Sequence, residues 1–270
     1  MVWKKSRDIA RTMAIKKQSF GFVTKGDIMG YEFDWSVLIT YKHLLVDGFL
    51  MTLKLSIIGI VLAFIVGSIM GLLRINKNFF VAIFASYYIE FFRNIPLIVQ
   101  IFFIYFTFDI LEIFPFLETV GNKLNIENHN GFFSALFALI FYTSAYIAEI
   151  LRGGIQSLPK GQMEASKTLG MTSIQSLYYI ILPQAMKIVC GPITSQFINL
   201  IKNSSLAMTI GVAELTFQTQ EINALTFRGF EAATAVTLLY LFLTLTTSLL
   251  MVIIDRYALI RTTSISIKGV

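Results

Sequence analysis

Long runs without a charged residue constrain the fold of this chain more than any other feature. Residues 55–73 are 19 uncharged residues that end at Arg74, and residues 232–254 are 23 that end at Asp255. At about 1.5 Å per residue, the shorter run makes a helix of about 28 Å, close to the thickness of a bilayer's hydrocarbon core. Because only 14% of the chain is charged and 56% is hydrophobic, polar groups could not cover its surface in water. These features predict an all-α membrane protein.

Three further apolar stretches bring the prediction to about five transmembrane helices. The second helix begins at residue 79 and runs to 108, and we expect a kink at Pro96, which lacks an amide proton and clashes with the preceding turn. The third covers residues 131–151, and a polar outer loop precedes it at about residues 109–130. The fourth, residues 174–200, is the least regular. It is interrupted by Pro183, Lys187, Gly191 and Pro192.

Small residues recur at every fourth position of the first predicted helix. They are Gly59, Ala63, Gly67 and Gly71. Such a stripe lies along one helix face and lets a neighbouring helix approach closely. We therefore interpret it as a packing surface.

Two pairs of ionisable residues lie next to apolar sequence. Glu90 and Arg93 are three residues apart, so a helix places them on one face. Beside the break at Pro96, an ionisable pair within apolar sequence is a functional-site hypothesis. The alternative is that one helix ends and another begins here at the membrane surface. Glu149 and Arg152 have the same spacing at the end of the third helix, where we expect a surface pair.

The distribution of Lys and Arg predicts the orientation. The loops at residues 74–78 and 149–187 and the tail from residue 255 together carry nine Lys and Arg, whereas the loops on the other side carry three. By the positive-inside rule the first side is cytoplasmic, which puts the N-terminus outside. The N-terminal tail adds eight Lys and Arg to the outer side, but seven of them lie at or before Lys25, far from the first helix.

A polar stretch at residues 161–183 separates the third and fourth apolar blocks. It reads GQMEASKTLGMTSIQSLYYIILP, with the spacing E-A-S-x3-G-x9-I-x-L-P. This pattern resembles the EAA loop of bacterial ABC importer permeases. Two other segments, YYIEFFRNIPLIVQIFFIYF at residues 87–106 and NLIKNSSLAMTIGVAEL at residues 199–215, are similar to the polar amino-acid uptake subfamily. The resemblance covers roughly residues 46–257.

The resemblance implies a type I importer permease fold with a cytoplasmic coupling helix around residues 161–170, which docks onto a separate ATPase. In such a loop Glu164 would anchor the helix, Ala165 would permit close contact, and Gly170 would let the backbone turn away with φ > 0. Pro183 would restart the chain toward the membrane, and Ser166 stands where the family often has alanine. The expected coupling residues are Gly161, Glu164, Ala165, Ser166, Gly170 and Pro183.

Polar residues at the two irregular helices are the candidates for a substrate path. They are Arg93, Asn94, Gln100, Asn199, Lys202, Ser204 and Ser205. Arg93 would be the natural partner of a substrate carboxylate, because its guanidinium binds a carboxylate through two hydrogen bonds. The alternative is that these groups brace the helix break, or that Lys202 and the serines lie at the outer rim.

The sequence lacks the motifs of an enzyme. It contains no G-x4-G-K-[ST] loop, no H-E-x-x-H and no G-x-S-x-G pattern, and its single cysteine, Cys190, excludes an internal disulfide. We therefore expect a transport subunit without catalytic residues, metal or bound cofactor, with ATP and Mg²⁺ bound by the partner ATPase. We attribute the net charge of +6 to the Lys and Arg residues that set the orientation of a membrane protein, and we expect no nucleic-acid partner.

The leading hypothesis is the permease subunit of an ATP-driven amino-acid importer in a bacterial cytoplasmic (inner) membrane. Its expected partners are ABC ATPase subunits, an extracytoplasmic solute-binding protein, a second permease copy or homologue, and membrane lipid. The alternatives are an ion-coupled secondary carrier or channel that acts without an ATPase, and a membrane scaffold.

The chain is expected to divide into three parts. Residues 1–48 form an N-terminal tail, extracytoplasmic or interfacial, residues 49–257 form the transmembrane domain with a coupling loop at 153–183, and residues 258–270 form a cytoplasmic tail.

Overall fold

The computed structural model describes residue 31 and residues 33–267, and all regular secondary structure in this part of the chain is helical. A π-helical turn, Leu177–Ile181, precedes the α-helix Leu182–Asn203, and a 3-10 segment, Ser204–Ile210, follows that helix. The α-helices are α1 Ser36–Thr40, α2 Lys42–Arg74, α3 Phe79–Asn94, α4 Leu97–Thr107, α5 Ile110–Ile113, α6 Phe116–Lys123, α7 His129–Gln156, α8 Lys160–Thr168, α9 Ser173–Ser176, α10 Leu182–Asn203, α11 Leu215–Thr226 and α12 Gly229–Ile267.

The described residues contain four helical segments that are long and apolar enough to cross a membrane, and a bent pair that makes a fifth if counted as one span. The four are α2, α7, the continuous segment Ser173–Ile210, and Gly229–Arg256 of α12. The pair is α3 and α4, which meet at 102°. Ile95 is extended there, as expected for a residue before proline, so the predicted break at Pro96 is present as a sharp bend.

Three helix boundaries differ from the predicted division of the chain. Helix α2 begins at Lys42, inside the predicted tail of residues 1–48, and α7 continues to Gln156, inside the predicted loop of residues 153–183. Helix α12 continues to Ile267, through most of the predicted tail of residues 258–270. The predicted limits followed the extent of apolar sequence, but a helix can continue through polar and charged residues, because its backbone hydrogen bonds do not depend on apolar side chains. Residues 1–30, 32 and 268–270 lie outside the described residues.

Helix α7 lies at the centre of the bundle, and α2 packs along it in the same direction. A Cβ on Gly67 would lie 2.8 Å from the carbonyl oxygen of Ser144, and a Cβ on Gly71 would lie 2.9 Å from that of Ala148. Ala63, on the same stripe, is fully buried. The small-residue stripe is therefore the packing surface that its spacing predicted.

The bundle has two ends, which we call the loop end and the far end. The loop end holds Arg74, the end of α7 and helix α8. At the far end, the start of α2 meets the segments that precede α7 and follow α10. There the Lys54 ammonium donates to the Leu124 carbonyl at 2.6 Å, and the Asn128 amide donates to the Ile210 carbonyl at 3.1 Å.

Candidate functional site

The polar stretch after α7 forms the short helix that the sequence predicted. Helix α8 runs from Lys160 to Thr168, and Gly161, Glu164 and Ala165 are exposed on it. It ends with two hydrogen bonds that are typical of a Schellman motif, from the amide of Gly170 to the Lys167 carbonyl (2.9 Å) and from the amide of Met171 to the Ser166 carbonyl (3.1 Å). The φ of Gly170 is 82°, the positive value that we expected.

Two side-chain hydrogen bonds hold α8 against the next helices. Ser166 is 1% exposed, and its hydroxyl bonds that of Ser176 in α9 at 2.6 Å. The Gln184 amide of α10 donates to the Gln162 side-chain oxygen of α8, also at 2.6 Å. One face of α8 is therefore fixed to the helix that leads into the membrane, and the opposite face is exposed.

Pro183 is the second residue of α10 and follows directly on the π-helical turn Leu177–Ile181. The resemblance implied that the chain restarts toward the membrane at this proline. Instead, the π-helical turn Leu177–Ile181 carries one continuous segment from α9 into α10.

An ionic cluster joins the loop ends of α2, α3 and α7. Arg74 pairs with Glu90 at 3.2 Å and with Glu149 at 2.5 Å, and Arg152 also pairs with Glu149. The Glu149–Arg152 pair is present, but its side chains are only 24% and 27% exposed, so it is not the surface pair that we expected. Glu90 has Arg74 as its partner in place of Arg93, whose guanidinium lies over the Tyr146 ring at 5.3 Å from the centroid.

Three of the predicted substrate-path residues lie at the bend between α3 and α4. The Asn94 amide donates to the Glu90 carbonyl at 2.7 Å. The buried Gln100 amide donates to the carbonyls of Phe92 (2.8 Å) and Ile95 (2.9 Å), which the bend leaves without helical partners. Asn94 and Gln100 thus brace the bend, which is the alternative that the sequence left open. The Nε of Arg93 is buried and makes no hydrogen bond in the structure.

The other four candidates lie where α10 ends at the far end. Asn199 and Lys202 are exposed, while the hydroxyl of buried Ser204 donates to the Ile201 carbonyl at 2.7 Å. Lys202 and Ser205 line a pocket of roughly 330 Å³ between the end of α10, α11 and α12. The other lining residues are Thr216, Thr219, Ala233, Val236, Thr237 and Tyr240.

A buried carboxyl group that the sequence analysis missed supports this pocket. Glu214 is fully buried, caps α11 by accepting from the Phe217 amide at 2.9 Å, and accepts from the Tyr240 hydroxyl at 2.5 Å. Burial raises the pKa of Glu214, and its hydrogen bonds from Thr216, Tyr240 and Phe217 oppose that shift. An acidic residue just before an apolar stretch is a helix-start signal, which could have revealed both Glu214 and α11.

Taken together, the apolar spans and the bent pair define a multi-pass helical membrane protein. A family described as the inner membrane component of binding-protein-dependent transport systems matches residues 47–258, and the chain belongs to this family.

Individual relatives support the same assignment. The chain is 35% identical over 239 residues to the glutamate/aspartate import permease protein GltJ of Escherichia coli strain K12, which covers 84% of this chain and 96% of the relative. It is 36% identical over 225 residues to the glutamine transport system permease protein GlnP of the same strain, which covers 83% and 97%.

Solved structures share the fold. The crystal structure of an amino acid ABC transporter with histidines matches with a TM-score of 0.69 and 33% identity, and covers 84% of this chain and all of that one. An inward-facing structure of the MetNI methionine ABC transporter matches at 21% identity with a TM-score of 0.64, which supports the fold alone. The fold is that of type I ABC importer permeases, as the resemblance implied.

Proposed function

We propose that this chain is the permease subunit of an ATP-driven importer of amino acids in a bacterial cytoplasmic membrane. The observation that carries the proposal is helix α8, which exposes Glu164 and Ala165 on one face and is hydrogen-bonded to α9 and α10 on the other. Family membership and the names of the amino-acid permeases among its relatives support the substrate class.

In this proposal α8 is the coupling helix and the loop end faces the cytoplasm, in agreement with the excess of Lys and Arg there. Glu164 anchors α8 in a groove of a separate ATPase, and exposed Gly161 and Ala165 let the partner approach closely. Gly170 turns the chain away from that contact. ATP and Mg²⁺ bind the ATPase subunits, while an extracytoplasmic solute-binding protein delivers the substrate and a second permease copy or homologue completes the path.

Movement of the ATPase would reach the membrane through the contacts of α8. The Ser166–Ser176 and Gln162–Gln184 hydrogen bonds connect α8 to the segment that contains α10. Helix α10 carries Asn199 and Lys202 near its far end, followed by Ser204 and Ser205. A displacement of α8 would therefore change the position of these substrate-path candidates, as alternating access requires.

Co-purification of the ATPase tests the coupling helix. The permease and its ATPase would be co-expressed and purified in detergent as wild type, as Glu164→Lys, and as Glu127→Lys. The last is a matched control, because it makes the same charge change at an exposed residue of the far end. We expect the ATPase to purify with the wild type and the control and to be lost with Glu164→Lys.

The opposite result would favour the alternative function. If no ATPase co-purifies with the wild type and the chain moves amino acids in liposomes without ATP, it is an autonomous carrier.

A further inference from the structure

A largely apolar groove lies on the bundle between α2, α10 and α12, and its volume is roughly 480 Å³. The residues of α2 that line it fall within residues 60–65, near the middle of the uncharged run of residues 55–73. Asp255 also lines it and lies directly after the uncharged run of residues 232–254, at the loop end of α12. The groove therefore extends from the middle of the hydrocarbon core toward the lipid headgroups at the loop end.

Two opposite charges line this groove. Lys187 of α10 is exposed, and Asp255 of α12 is half-buried. Among the described residues, neither side chain forms an ion pair with the other or with a third residue. Asp255 faces the thiol of Cys190, which is a weak donor. Because an ionisable group next to lipid is costly without a partner, each charge needs an opposite charge, which a ligand in the groove can supply.

A phospholipid supplies both charges and an apolar chain in one molecule. Its phosphate is an anion at the level of the headgroups, where basic residues between membrane helices bind it. A primary ammonium group on the same headgroup can donate a charge-assisted hydrogen bond to a carboxylate. We propose that the groove binds phosphatidylethanolamine, with the phosphate on Lys187, the ammonium group on Asp255 and an acyl chain along Phe64 and Phe197. The inference goes beyond the proposed function and does not depend on the transported substrate.

The carboxylate of Asp255 distinguishes this lipid from other phospholipids. Phosphatidylglycerol brings a phosphate for Lys187 but no positive charge for Asp255. Phosphatidylcholine brings a positive charge, but its methylated nitrogen has no hydrogen to donate. Phosphatidylethanolamine should therefore bind more tightly than either, and Asp255 is the residue that sets the preference.

Protection of Cys190 from a thiol reagent measures occupancy of the groove in the wild type. Cys190 is the single cysteine of the chain and lines the groove. The full-length permease, with any subunit that co-purifies, is delipidated in detergent. Each of the three lipids is then titrated, and labelling of the permease by N-ethylmaleimide is followed by mass spectrometry. The lipid concentration that halves the labelling rate should be about tenfold lower for phosphatidylethanolamine, the gain of one hydrogen bond to a charged group.

Two variants separate the contacts of the headgroup. Asp255→Asn should weaken phosphatidylethanolamine about tenfold and so abolish the preference, whereas Lys187→Met should weaken all three lipids, because each has a phosphate. Each variant is compared with itself across the lipids, since the loss of a charge beside Cys190 also changes the reactivity of the thiol. The matched controls are Lys77→Met and Glu118→Gln, which change exposed residues outside the groove and should bind like the wild type.

A second reporter tests whether protection is specific to the groove. Cys190→Ala/Leu249→Cys moves the thiol to an exposed position of α12 outside the lining, where labelling should not depend on the choice of lipid. Equal affinity of the wild type for the three lipids overturns the proposal, as does the same lipid preference at Leu249→Cys. Protection of Cys190 in delipidated protein that dilution removes also overturns it, because a second copy of the chain then covers the groove.

Discussion

The hydroxyl of Ser166 lies 2.6 Å from the hydroxyl of Ser176, and both residues are buried where α8 packs on α9. The Ser166 hydroxyl also lies 2.8 Å from the Met163 carbonyl, so this buried hydroxyl has one hydrogen-bond partner within α8 and a second in α9. The contact holds one face of α8 against α9, so the position of Glu164 on the opposite, exposed face is fixed as well.

Removal of this hydroxyl should be tolerated, whereas added volume should not. In Ser166→Ala, Ser176 keeps its hydrogen bond to the Thr172 carbonyl (3.0 Å), so no buried hydroxyl loses its last partner. We expect a loss of less than about 1 kcal/mol in the free energy of unfolding and near-normal ATP-driven uptake. Ser166→Leu should push α8 off α9 and abolish uptake while ATP hydrolysis persists.

The rates of amino-acid uptake and of ATP hydrolysis, both measured in proteoliposomes, check this prediction. Ser173→Ala is the control, because Ser173 is exposed. Loss of coupling in Ser166→Ala would mean that the hydrogen bond itself, and not the packing, transmits movement.

Gly170 should be replaceable only at a conformational cost. Its φ is 82°, and a Cβ added there would meet no atom within 4 Å, so the penalty comes from the backbone alone. We expect Gly170→Ala to cost about 1–2 kcal/mol and Gly170→Asn less, because asparagine tolerates the left-handed region. Thermal unfolding of the purified permease measures both, with exposed Gly161→Ala in α8 as the control. Equal stability of the alanine and asparagine variants would contradict this explanation.

The sequence predicted the features that depend on local pattern. Uncharged runs located the spans, and Pro96 predicted the bend. The spacing of Gly67 and Gly71 predicted a close contact with another helix, which the structure shows to be α7. It could not predict which helices meet at the ionic cluster. The spacing of Glu90 and Arg93 shows only that they share a helix face, whereas the partner of Glu90, Arg74, comes from another helix.

The supporting residues of the far-end pocket were hidden for a similar reason. Tyr240 lies within an uncharged run of α12 and gives no local signal, and its contact with Glu214 joins residues from two helical segments. The function of a side chain in such a contact depends on tertiary packing, which periodicity does not encode.

The glycine stripe makes a prediction about packing. Gly67→Ala would place a Cβ 2.8 Å from the Ser144 carbonyl oxygen, so α2 and α7 must separate, and we expect a loss of about 1–3 kcal/mol. Gly191→Ala in α10 is the matched control, because a Cβ there meets no atom within 4 Å. It should be neutral or slightly stabilising. Thermal unfolding of both variants in the same detergent checks the prediction, and a similar loss for both would attribute the effect to something other than helix contact.

Glu149 and Glu90 should differ in importance, although both pair with Arg74. Glu149 is 24% exposed and serves both Arg74 and Arg152, so Glu149→Gln leaves two guanidinium groups without their shared carboxylate. We expect a loss of about 1–3 kcal/mol, reduced from the value for a fully buried pair by partial exposure. Glu90 is 51% exposed and has one partner at 3.2 Å, so Glu90→Gln should cost less than about 1 kcal/mol and leave ATP-driven uptake nearly unchanged.

Unfolding in SDS followed by circular dichroism, together with uptake in proteoliposomes, measures both effects. The double variant Arg74→Gln/Glu149→Gln should cost less than the sum of its single changes, because the two residues share one interaction. A strong uptake defect in Glu90→Gln without a loss of stability would contradict a structural role. Glu90 would then be a group that takes part in transport, as the carrier hypothesis requires.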